Sequence, residues 1–154
     1  MKSFETLYDQ LANTLPTDPV AAIQHLLQNL YTEVPHYNWV GIYWAAGNRT
    51  LRLGPFFGAP TDHVLIPYGT GICGQAAETL ETFVVDDVST AGNYLACSLE
   101  VKSEIVIPLF RSGEFIGELD IDSHTVAAFT PDDQAFLERI ARLLETYATA
   151  NVRA

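Results

Sequence analysis

A β-hairpin is legible between Glu104 and Ser123, and it limits what the rest of the chain can build. Glu104 to Phe110 is a nearly unbroken apolar run, Ser112-Gly113 supplies a turn, and Glu114 to Ser123 returns. Strands joined by so short a turn pair antiparallel. By the two-residue period, Phe115, Gly117, Leu119 and Ile121 share one face of the returning strand. Ile116, Glu118, Asp120 and Asp122 share the other.

Two readings of the acidic face stay open. A row of carboxylates opposite an apolar face is ordinarily solvated. Alternatively, Asp120 and Asp122, about 7 Å apart along the strand, join Glu104 from the neighbouring strand around a pocket. Crowded carboxylates do not all ionise cheaply. One then keeps its proton and serves as hydrogen-bond donor or general acid, while another stays charged and holds an ammonium group. A free amino acid is a ligand that needs such a charge.

The flanks read as helices. Phe4, Leu7, Tyr8, Leu11 and Leu15 follow helical spacing up to Pro16. Asp18 is placed to cap a second helix, with Pro19 in its first turn, a stripe of Ile23, Leu26, Leu27, Leu30 and Val34, and Pro35 as its stop. Thr130-Pro131-Asp132-Asp133 starts a closing helix with Phe136, Leu137, Ile140, Leu143, Leu144 and Tyr147 on its apolar side.

Between them, Asn38 to Ala46 reads as a strand, with Trp39, Gly41 and Tyr43 on one face and Val40, Ile42 and Trp44 on the other. Gly47-Asn48 turns it into a strand over Leu51 to Phe57. Short strands are expected at Val64 to Ile66 and Phe83 to Val85, separated by a glycine-punctuated loop and a small-residue helix around Cys73. The predicted fold class is α+β, a three-layer α/β/α sandwich around a mostly antiparallel sheet.

The chain has 154 residues, enough for one domain with a real core, and 19 acids against 8 bases give a net charge of −11. That balance argues against nucleic acid and against an anionic membrane surface as partners. Met1 to Gln10 holds no apolar run that would serve as a signal peptide or anchor, so a cytoplasmic location is expected. Neither a P-loop nor a dinucleotide fingerprint is present. His63 and His124 lack metal-ligand spacing to each other or to a cysteine, so no metal and no bound cofactor are expected.

The two cysteines, Cys73 and Cys97, lie in different settings. Cys73 sits at an expected helix start, where backbone N–H groups favour anions and can either lower a thiol pKa or bind a ligand carboxylate. Cys97 lies in a loop running from Asn93 towards Glu104. Their spacing does not decide whether they pair. A disulfide in a cytosolic protein would be transient, catalytic or redox-sensing. Trp39 and Tyr43 are either core packing or a wall for a small sulfur-bearing group.

Several segments together resemble one family. These are Asn38 to Tyr43, Leu53 to Phe56, Ile66-Pro67 with Gly69 to Gly74, Ala96-Cys97, Ser103 to Pro108 and Gly117 to Ser123. In order and spacing they are similar to the free methionine-(R)-sulfoxide reductases, single-domain proteins of the GAF fold. The resemblance implies a single GAF-like domain over 1–154, with helices in 1–35, sheet and site loops in 38–123 and a closing helix in 130–149. It implies reduction of free L-methionine (R)-S-oxide, with Cys97 attacking the sulfoxide sulfur and a second cysteine resolving the sulfenic acid as a disulfide. Glu104, Asp120 and Asp122 would hold the substrate ammonium and assist protonation of the oxygen, and Trp39 and Tyr43 would wall the S-methyl group. Thioredoxin or a similar dithiol would be the partner, and the assembly a homodimer. The family's usual third cysteine falls at His63, which leaves Cys73 to resolve Cys97, or the two roles exchanged. A non-catalytic GAF module that binds a small ligand or senses redox is the alternative, because this fold hosts sensors as well.

Overall fold

A computed structural model describes residues 1–92 and 100–154. Its centre is a six-stranded sheet in the order β3-β2-β1-β6-β5-β4. The strands are β1 (Trp39–Ala45), β2 (Thr50–Phe57), β3 (Leu65–Pro67), β4 (Phe83–Val85), β5 (Ser103–Arg111) and β6 (Glu114–Ser123). Every neighbouring pair runs antiparallel. The hairpin expected between Glu104 and Ser123 is β5-β6, with β6 central in the sheet between β5 and β1.

One face carries three helices, α1 (Phe4–Asn13), α2 (Pro19–Glu33) and α4 (Pro131–Tyr147). Between them and the sheet lies the larger core. Leu26, Leu27 and Leu30 of α2 and Leu137, Ile140 and Leu144 of α4 meet Val40, Ile42, Ile105, Ile107, Leu119 and Ile121 there. Burying each such side chain stabilises the fold by about 1.5–3 kcal/mol before entropy is counted. The helix starts follow their capping residues. The Asp18 carboxylate accepts from Ala21 N at 2.9 Å, and Thr130 and Asp133 cap each other reciprocally at the head of α4. Asp133 also accepts from the Tyr37 hydroxyl at 2.8 Å and lies 2.6 Å from His36 Nε2, tying α4 to the segment that enters β1. The chain closes with the short helix α5 (Ala150–Arg153).

The other face carries α3 (Gly71–Thr79), and Val88 of a short 3-10 turn (Val88–Thr90) packs into the same layer. The buried side of α3 is built from Gly71, Ile72, Cys73, Gly74, Ala76 and Ala77, small enough to let the helix settle close to the strands. The second, smaller core lies beneath it, with Trp39, Tyr43, Leu51, Ile66, Val101 and Val106. β1 therefore splits its side chains between the two cores as its alternation predicts.

β6 departs from simple alternation at one point. Leu109 pairs with Gly117 but Phe110 pairs with Phe115, leaving Ile116 as a bulge. Ile116 consequently joins Leu119 and Ile121 in the larger core, and Phe115 packs on the smaller one. This corrects the expected assignment of those two residues to faces. Gly117 makes the bulge feasible. Its φ is +156°, and a Cβ there would lie 2.4 Å from the Tyr43 carbonyl oxygen.

Candidate active site

Sheet register brings the acids together. Asp122 stands opposite Trp39 on β1 and opposite Glu104 on β5. One step along, Asp120 stands opposite Gly41 and Val106. The next step sets Glu118 opposite Tyr43 and Pro108. All the carboxylates of these rows face α3 rather than solvent. Glu104 is 5% exposed, Glu118 0%, Asp120 1% and Asp122 2%. The solvated reading of this face is thereby excluded: the helix covers it.

No salt bridge among the described residues reaches Glu118, Asp120 or Asp122. Both oxygens of Glu118, both of Asp120 and Asp122 Oδ1 have no hydrogen-bond partner among the described residues. Burial pushes the carboxyls of Glu118 and Asp122 well above the usual range, and the charge of Asp120 adds to it. Burial also raises Asp120, although its proximity to Glu104 and Cys73 opposes the shift. Protonated, hydrogen-bond-donating carboxyls are the expected result of that burial.

Cys73 is a free, buried thiol near the start of α3, and it donates to Glu104 Oε2 at 3.8 Å. The helix start does not lower its pKa as expected. Burial, followed by the charges of Asp120, Glu118, Glu104 and Asp122, pushes the thiol well above its usual value. Burial, with the acidic cluster beside it, outweighs one helix terminus.

The aromatic wall is assembled on β1. The Trp39 ring stacks on Phe56 at 5.4 Å and on Tyr43 at 6.4 Å. It folds back over Gly41, where a Cβ would lie 2.4 Å from Trp39 Cη2 and 2.6 Å from Cζ3. Only glycine allows this ring to lie flat along its own strand. The indole N–H donates to Ala59 O at 3.0 Å, and the Tyr43 hydroxyl donates to His63 O at 2.9 Å. His63 thus meets the site through its backbone carbonyl, at the edge of the aromatic wall.

Two hollows flank the acids. One, enclosed by Tyr43, Ile66, Thr70, Ile72, Cys73, Glu104 and Asp120 among others, has a volume of about 10 Å³, which is room for roughly one water. The other, about 190 Å³, opens beside Trp39, Asn38, Ala59, Val101, Asp122 and His124. The structure therefore gathers Cys73, Glu104, Asp120, Asp122, Trp39 and Tyr43 on one side of the sheet. Cys97 lies outside the described residues. Glu118 belongs to the same buried cluster but was not among the expected site residues. The available signal was its place two residues before Asp120 on the acidic face.

The fold and this site define a GAF-domain protein, and the GAF-domain family profile matches residues 3–147. The free methionine-R-sulfoxide reductase of Saccharomyces cerevisiae is 37% identical over 147 residues, covering 92% of this chain and 79% of that protein. A type II free methionine-R-sulfoxide reductase from Thermoplasma acidophilum superposes with a TM-score of 0.80 at 40% identity, covering 84% of this chain and 91% of the other. The Neisseria meningitidis free methionine-R-sulfoxide reductase, solved in complex with its substrate, superposes with a TM-score of 0.82 at 36% identity, over 94% of this chain and 84% of that one. The chain belongs to the free methionine-R-sulfoxide reductase branch of the GAF-domain family.

Proposed function

We propose that this chain reduces free L-methionine (R)-S-oxide to L-methionine, with Cys97 as the attacking thiolate and Cys73 as the resolving thiol. The observation that carries the reading is the buried row of Glu104, Asp120 and Asp122, in which both oxygens of Asp120 and Oδ1 of Asp122 have no hydrogen-bond partner among the described residues. The ammonium of a free amino acid supplies the missing positive charge. A methionine within a polypeptide has no such group, so the same row selects against it. The roughly 190 Å³ hollow between Trp39 and Asp122 suits an amino acid of this size.

In this scheme the Cys97 thiolate attacks the sulfoxide sulfur. A carboxyl held protonated by burial, at Asp120 or Asp122, donates to the departing oxygen. Cys97 takes over the oxygen as sulfenic acid and methionine leaves, reduced by two electrons. Cys73 then condenses with the sulfenic acid, forming a disulfide and releasing water. An external dithiol such as thioredoxin restores both thiols, so no bound cofactor is needed. A thiol kept protonated beside four carboxylates suits Cys73 poorly for the first attack and supports giving that step to Cys97.

The family likeness also supports a homodimer working in the cytoplasm, where dithiol systems keep cysteines reduced. Among the described residues no helix is long and apolar enough to cross a membrane. The deciding experiment is a thioredoxin-coupled assay with the separate R and S epimers of free methionine sulfoxide and with an N-acetylated analogue. Turnover of the free R epimer alone is expected. Equal turnover of the N-acetylated compound would overturn the role given to the acids.

A further inference from the structure

We propose that Cys73, Glu104 and Asp120 form a binding site for a thiophilic divalent metal ion, zinc being the best match, and that the ion shuts the reductase pocket. The second clause rests on the reductase reading; the first does not. The three side chains come from α3, β5 and β6, and each offers one ligand atom such that all three lie within 4.8 Å of one another. Zinc–sulfur and zinc–oxygen bonds of about 2.3 and 2.0 Å at a tetrahedral angle place sulfur and oxygen about 3.5 Å apart. Cys73 Sγ and Glu104 Oε2 are 3.8 Å apart, close to that separation before any metal arrives.

Three further observations point to a cation. Asp120 lines the small hollow and is 1% exposed, yet neither of its oxygens has a partner among the described residues. The hollow has room for about one water, which is the fourth ligand a three-residue zinc site leaves open. Glu118 and Asp122, whose charges also act on Cys73, add negative charge around the site, and among the described residues both oxygens of Glu118 and Oδ1 of Asp122 have no hydrogen-bond partner. Magnesium and calcium prefer all-oxygen sites, so the thiol selects zinc or a metal of similar softness. Binding exchanges the thiol proton for the metal, releases that proton to solvent and changes no oxidation state. While the metal is bound, Cys73 is unavailable to resolve a sulfenic acid, and the carboxylate positions meant for an ammonium are occupied.

The test uses the reduced full chain, stripped with chelator and titrated with cobalt(II) as an optical probe, then with zinc by calorimetry. A sulfur-to-cobalt charge-transfer band is expected in the natural chain and in Cys97→Ser, and its loss is expected in Cys73→Ser. Asp120→Asn is expected to weaken zinc by at least about tenfold, the range that losing even an outer-shell partner produces. Saturating free methionine-R-sulfoxide should weaken zinc binding to Cys97→Ser, in which turnover cannot oxidise Cys73, and chelator should restore turnover to the zinc-treated natural chain. Absence of the band in the natural chain, or its persistence in Cys73→Ser, would overturn the site. Zinc binding indifferent to the sulfoxide would overturn the closure. A chain that binds zinc through Cys73 but does not turn over the sulfoxide would sink the reductase reading and leave the metal site standing.

Discussion

Glu104 and Asp122 stand directly opposite each other on adjacent antiparallel strands, each at most 5% exposed. Like charges at this position are destabilising in a sheet even when solvated. Here both are buried, so the arrangement is tolerated at a cost to the free fold. That cost is the starting point for the expectations below.

Replacing a catalytic group should separate chemistry from binding. Cys97→Ser is expected to abolish turnover of free methionine-R-sulfoxide. Asp120→Asn and Asp122→Asn should each lower kcat/KM by about a hundredfold or more, the usual range for losing a general acid. Steady-state kinetics in the coupled assay check this. Mass mapping after one sulfoxide treatment without reductant should find a Cys73–Cys97 bond; two free thiols would remove Cys73 as resolver.

Stability should fall as pH rises. Glu118, Asp120 and Asp122 have folded pKa values raised by burial. Their unfolded values are near 4. The folded state therefore binds more protons, and the stability they contribute is full below about pH 4 and is lost as pH rises through the folded values. Glu118→Gln should flatten that slope and raise Tm at neutral pH, by about 2–4 °C for each kcal/mol recovered. Calorimetric scans across pH decide it, and an unchanged slope would refute the assignment.

Asp133 should act with the opposite sign. Burial works against its ionised form, but hydrogen bonds from Thr130, His36 and Tyr37 prevail and hold the carboxyl below its ordinary value. Its contribution is present above its unfolded pKa and lost as pH falls through the lower folded one. Asp133→Ala removes the reciprocal half of the capping box at the head of α4 and orphans the buried Tyr37 hydroxyl. A loss of about 2–3 kcal/mol is expected in urea unfolding at neutral pH.

Gly41→Ala tests the aromatic wall without touching an acid. The new methyl group would meet the Trp39 ring and Phe56 Cβ at 2.8 Å or less. Overpacking of this kind costs about 1–3 kcal/mol. With the Trp39 ring displaced, KM for the sulfoxide should rise more than kcat falls.

The helices and the central hairpin are legible because their signals are local. Asp18-Pro19 and Thr130-Pro131 mark helix starts, and Ser112-Gly113 marks a turn, within a few residues of the structure they produce. The bulge at Ile116 is not legible, because Phe115 and Ile116 are both apolar and either parity looks reasonable. Nor does sequence show that α3 roofs the acids. That depends on residues 71–77 packing against positions some 30–50 places later in the chain. The same distance hid the environment of Cys73. A helix start is visible in the Gly71 to Gly74 stretch, whereas the burial and the acidic cluster that outweigh it arrive only through tertiary packing. The grouping of Cys73 with Glu104 and Asp120 follows no spacing rule for the same reason.

The unpaired Ile116 divides β6 into two reading frames. Residues 117–123 keep one phase, set by their pairing with β1 and β5, and residues 114–115 keep the other. A length change at the Ser112-Gly113 tip would be absorbed before it reached the bulge. Deleting one residue between Gly117 and Asp120 would instead invert the phase of the half beyond it. The acids there would turn into the leucine-rich layer under α2 and α4, and the apolar residues would turn towards α3. The two ends of one strand are thus unequally free to vary in length, and the acids sit in the end that is not.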